Sequence, residues 1–109
     1  MAAYPEHYNW IRTKFGRVME VHQQLGRELI EAGPIDEKTG HLIQLAAAAA
    51  TRSEGAVHSH AKRALEAGAS PDEIYHTLVL LISTIGFPTA AAALSWASDL
   101  VEESQPAEA

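Results

Sequence analysis

The chain has 109 residues, 47% of them hydrophobic and 20% charged, which suits a single folded core. Its formal charge of −6 argues against nucleic acid or an anionic membrane as partner, because both attract basic surfaces. Cysteine is absent, which excludes disulfides, thiolate zinc sites and thiol nucleophiles together.

The start Met1-Ala2-Ala3-Tyr4-Pro5-Glu6 lacks the basic and apolar runs of a secretory leader, so a cytoplasmic protein is expected. Every segment then reads as helix. The first is expected from Pro5 to Ala32, about 40 Å long at 1.5 Å per residue. Tyr8, Ile11, Phe15, Val18, His22, Leu25 and Leu29 recur at spacings of three and four, forming one apolar stripe broken only by His22. His22 either fixes the register of packed helices or lines a pocket. Gly33-Pro34 ends the segment.

Asp36 is the expected N-cap of a second helix running to Ala50. Thr51 paired with Glu54, or Ser53 alone, caps the third, and Gly68 closes it. Ser70-Pro71-Asp72-Glu73 spells a capping box with proline in the first turn, so a fourth helix follows through Ile74, Leu78, Leu81, Ile82 and Ile85. Gly86-Phe87-Pro88 breaks it. A fifth helix from about Thr89 carries Leu94, Trp96, Leu100 and Val101. The expectation is an all-α bundle of five to six helices. Residues 1–34 form a long packing helix, residues 35–101 the core, and residues 102–109 a disordered tail.

Alanine crowds the second, third and fifth helices. Small side chains let helix axes approach closely but bury little area each. The core is thin for a free monomer and the first helix's stripe lacks an opposite face, so a homo-oligomer is expected.

Two stretches carry a family likeness. Thr51-Arg52-Ser53-Glu54-Gly55-Ala56-Val57-His58-Ser59-His60 leads into Ala64-Leu65-Glu66-Ala67-Gly68 and the Ser70-Pro71-Asp72-Glu73-Ile74 start, and Gly86-Phe87-Pro88-Thr89-Ala90 follows. From Ile35 to Leu100 this pattern resembles the carboxymuconolactone decarboxylase/alkylhydroperoxidase-D superfamily. The resemblance implies an alkylhydroperoxidase-D-like fold and a hexamer built as a trimer of dimers. Peroxidase members carry Cys-x-x-Cys-x-x-x-His in the first stretch. Aligned on His60, the cysteine positions hold Ser53 and Ala56, which cannot cycle between dithiol and disulfide. The peroxidases' relay glutamate falls on His41. The polar residues that decarboxylases tend to place after the Gly-x-Pro turn fall on Ala91 and Ala92.

The resemblance marks His60 as a general acid/base, with His41 delivered from the neighbouring helix as its proton-sharing partner. The residue-level alternative is a satisfied histidine between helices. Arg52 is the candidate carboxylate clamp, with Ser53 beside it, against a solvated charge at a helix end. Residues two apart on a helix point to nearly opposite sides, so His58 and His60 cannot both face one ion. Glu54–His58 is the better same-face pair. A metal site at His41 and His60 lacks an evident third ligand, and neither metal nor organic cofactor is expected. His76 reads as helix-surface pairing with Asp72 and Glu73, and Trp10 and Trp96 as packing residues.

Two functions of different class follow, with His-based metal binding as a third reading. One is a cofactor-free decarboxylase or isomerase acting on a small carboxylated lactone or keto acid. The other is a redox-dead module kept for assembly or small-ligand binding. A solvent-reachable pocket lined by His41 and His60 favours the first, and alanine packing that seals either histidine favours the second.

Overall fold

The computed structural model describes residues 6–104. Seven helices are present among them: α1 (Glu6–Lys14), α2 (Gly16–Glu31), α3 (Glu37–Ala50), α4 (Glu54–Glu66), α5 (Pro71–Val79), α6 (Ile82–Ile85) and α7 (Phe87–Ser104). The chain divides between Ile35 and Asp36 into two compact units.

In the first unit the expected single helix is broken at Phe15, whose backbone leaves helical geometry (φ −126°, ψ 50°) and whose side chain supplies no cap. The interruption is one residue long. Phe15 N still donates to Ile11 O at 2.8 Å, and Met19 N to Phe15 O at 3.0 Å. Gly16 follows at once, and glycine resists helix through its backbone entropy. Neither α1 nor α2 buries a residue. Trp10 stacks on His7 and meets Phe15 edge-on, but it is a surface residue and not part of a core. His22 and its stripe neighbours Val18, Leu25 and Leu29 are all exposed.

The second unit holds the core. Helices α3 and α4 form a hairpin, α7 packs on both and on α5, and α5 also meets α3. Leu45, Val57, Ile74 and Leu78 are completely buried, and Ala49, Ala61, Ala64, Ala93 and Ala97 fill the gaps between helices. Burying a Leu, Ile or Val side chain contributes roughly 1.5–3 kcal/mol. Trp96 packs against this cluster, as a packing role requires.

The stop and start signals mostly act where the sequence places them. Gly68 adopts φ 103° and closes α4: its N–H bonds to Leu65 O, and Ala69 N bonds to Ala64 O. That is the paired hydrogen-bond pattern of a glycine-terminated helix. Ser70 accepts from Glu73 N while Glu73 accepts from Ser70 N, completing the capping box with Pro71 in the first turn. Of the two caps offered for α4, Ser53 is used, accepting from Ala56 N. Asp36 sits at the N-cap of α3 but makes no side-chain cap bond.

Within this second unit, two boundaries also differ from expectation. The fourth predicted helix stops at Val79 and restarts as α6. Thr77 Oγ1 donates to Glu73 O at 2.8 Å, a back-bond that bends helices, and Leu81 N then bonds to Leu78 O in a tighter turn. At the far end, α7 continues to Ser104, so residues 102–104 are helical and not a disordered tail. The rest of that expected tail, residues 105–109, lies outside the described residues, as does Pro5 at the expected start of the first helix.

Candidate functional site

On α3, the buried positions His41, Leu45, Ala48 and Ala49 follow helical spacing, so His41 shares the core-facing side. On α4, Val57, Ala61 and Ala64 face the core, and His60 lies next to Ala61 on the edge of that stripe. The hairpin brings the two imidazoles together, their ring centroids 6.3 Å apart and their planes tilted by 31°. His41 is 7% exposed, whereas His60 is only partly buried. The pair is therefore closed on the α3 side and more open on the α4 side.

Both rings leave Nδ1 buried without a hydrogen-bond partner. A buried polar atom in that state costs about 1–3 kcal/mol. The other nitrogen of His41, Nε2, lies 3.7 Å from Glu37 Oε2 one turn back on α3. Glu37 was not among the candidates read from the sequence. Its i, i+4 spacing to His41 is the signal that could have shown it, and it is the same spacing that identifies Glu54–His58. That second pair is present, with His58 Nε2 4.0 Å from Glu54 Oε2.

His60 is held below the ordinary imidazole value of 6.5, first by burial and then by the positive charge of Arg63 and by His41. Desolvation and neighbouring cations both disfavour imidazolium. His60 is thus predominantly neutral near pH 7.

Arg52 and Ser53 occupy the α3–α4 turn. Arg52 takes the left-handed position that ends a helix, φ 57°, where glycine is the usual occupant. Arg52 N bonds to Ala49 O and Ser53 N to Ala48 O, the same closing pattern seen at Gly68. A non-glycine residue here stores about 1–3 kcal/mol of strain. The Arg52 guanidinium is not merely a solvated end charge, since Nη2 donates to Thr89 Oγ1 at 2.9 Å and ties the turn to the first turn of α7. Ser53 is engaged as the α4 cap. Both lie about two helical turns along α4 from His60, roughly 10 Å at 1.5 Å per residue. The structure joins His41 to His60 and Arg52 to Thr89, with no direct contact between the two pairs among the described residues. No group of three or more His, Asp or Glu side chains among them is placed to hold a metal ion. No described helix is long and apolar enough to cross a membrane.

Comparison with known proteins adds the family. The carboxymuconolactone decarboxylase family profile matches residues 17–99, from the start of α2 almost to the end of α7. That reaches further toward the N-terminus than the sequence motifs do. An uncharacterized protein of Haemophilus influenzae is 33% identical over 66 residues, which are 54% of this chain and 58% of that relative. The match thus spans less than two thirds of the relative's length. A crystal structure of an apo carboxymuconolactone decarboxylase family protein from Legionella pneumophila superposes with a TM-score of 0.71 at 24% identity, covering 87% of this chain and 88% of that one. At that identity the likeness shows the fold.

Proposed function

Because the chain belongs to the carboxymuconolactone decarboxylase family, we propose that it is a cofactor-free acid/base protein acting on a small carboxylated lactone or keto acid by decarboxylation or isomerisation. The observation that carries this reading is the facing pair His41 and His60, each with a buried, unpartnered Nδ1. In a molecule without cysteine, these two imidazoles, with that of His58 also on α4, are the side chains on α3 and α4 of a type that titrates near neutral pH, and His41 and His60 are the two whose rings meet.

In this reading His60, held neutral by its surroundings, takes a proton from the substrate or, once protonated, returns one to the carbanion or enolate. His41 shares that proton, with the Glu37 carboxylate behind it to balance the charge. Arg52 and Ser53 bound the turn-side end of the ligand, and the strain held at Arg52 fits a residue kept for its side chain. The protein works as a homo-oligomer, a hexamer built as a trimer of dimers, and thiol peroxidase chemistry is outside its reach.

A second reading rests on the burial of His41. If that closure persists in solution, the pair cannot exchange protons with a substrate, and the chain is a non-catalytic assembly or ligand-binding module. Turnover decides between them. With γ-carboxymuconolactone as probe, CO₂ release should exceed background and fall about 10²–10⁴-fold in His60→Gln. Absence of turnover with that probe and with a panel of β-keto and lactone carboxylates would leave the module.

A further inference from the structure

We propose that Arg63, one helical turn beyond His60 on α4, is the residue that grips the ligand's carboxylate at the histidine pair. This rests on the acid/base reading above and names its anion contact. Ala56, His60 and Arg63 follow one another on α4 at spacings of four and three, so Arg63 and His60 share a side of the helix.

Two arginines are close enough in sequence to serve the site, and their situations differ. The Arg52 guanidinium is already bonded to Thr89, at the turn end of the hairpin. The Arg63 side chain is exposed and makes no hydrogen bond or ion pair among the described residues, although fourteen acidic residues stand in the chain; its backbone carbonyl accepts from Ala67 N. Its planar fork therefore remains available to a carboxylate, which it matches with two parallel hydrogen bonds.

The charge balance around His60 points the same way. Arg63 on its own helix and His41 from α3 both press against imidazolium, and Glu37 lies one turn back on α3 with Oε2 3.7 Å from His41 Nε2. A carboxylate seated on Arg63 reverses that balance. It cancels the guanidinium charge and places an anion beside the ring. The ligand-free site then holds a base, and ligand binding raises the proton affinity of that base where a proton must be moved. An anionic ligand thus prepares the group that acts on it.

The test is an NMR titration of the His60 ring in the full chain, free and with succinate as probe. Wild type, Arg63→Gln, Arg63→Lys and Arg52→Gln are compared, with unfolding midpoints as a check on the fold. Without ligand, the His60 midpoint should rise toward 6.5 in Arg63→Gln and stay low in Arg63→Lys. Succinate should move the wild-type His60 signals and raise their midpoint. Its affinity should fall roughly tenfold in Arg63→Gln, the effect of losing a charge-assisted contact, and less in Arg52→Gln. An unchanged ligand-free midpoint in Arg63→Gln overturns the assignment, as does a larger loss of affinity in Arg52→Gln than in Arg63→Gln. A wild-type response that survives Arg63→Gln removes Arg63 alone and leaves the acid/base reading standing. If wild-type His60 ignores succinate and other small carboxylates, both fall together.

Discussion

Helices α3–α7 seal Leu45, Val57, Ile74 and Leu78 completely, while α1 and α2 bury nothing although their apolar stripe is the longest in the chain. The two regions begin from similar patterning. What separates them is an opposing surface. Each core helix meets at least one other across alanine-lined contacts, whereas Val18, Leu25 and Leu29 on α2 remain more than half exposed. An amphipathic stripe states which side of a helix wants cover and leaves open what supplies it. Helix ends differ in the same sense. Helices α4 and α5 start on serine caps that bond to their own backbone, while α2 starts at Phe15 with none.

The comparison breaks most directly at single leucines. Leu45→Ala or Leu78→Ala should cost about 2–5 kcal/mol, the range for a large side chain removed from a packed core. Leu25→Ala should stay within about 0.5 kcal/mol in dilute protein, because it removes an exposed group. Denaturant unfolding of the three variants measures this. Equal losses at Leu25 and Leu45 would mean that α2 has cover in solution.

Raising the concentration sharpens the same contrast. If a second copy covers the α2 stripe, light scattering at micromolar concentration gives a multiple of 11.8 kDa. Leu25→Asp should then move the mass toward that of one chain, since a carboxylate on an apolar interface must be desolvated. A wild-type mass of 11.8 kDa would remove the oligomer altogether.

The smallest effect concerns His60. Its folded value lies below 6.5, so the native state resists protonation. The stability this contributes is complete above 6.5 and is lost as pH falls through the lower folded value. Between about pH 7.5 and 5.5 the thermal midpoint should drop further in wild type than in His60→Gln. Parallel curves would show that the ring feels neither burial nor Arg63.

Much of this was legible in the residues because the signals are local. The capping box at Ser70 and Glu73, the left-handed glycines at 68 and 86, and the loss of thiol chemistry each depend on a few neighbouring residues. The breaks at Phe15 and after Val79 were less legible. A lone glycine or a threonine back-bond shifts a helix by less energy than packing decides. Which residues come together lay further out of reach. His41 was named from the family likeness, and its approach to His60 is a property of the α3–α4 hairpin. That Arg52 is bonded to Thr89, while the Arg63 side chain has no hydrogen-bond or ion-pair partner among the described residues, was not readable in advance. By itself the sequence determined helix type, most helix ends and the absence of a thiol, since backbone preference and capping act within one turn. Tertiary structure decided the histidine pairing, the partners of Glu37 and Arg52 and the exposure of α2. Those depend on which helix faces meet across tens of residues, and no short-range rule carries that distance.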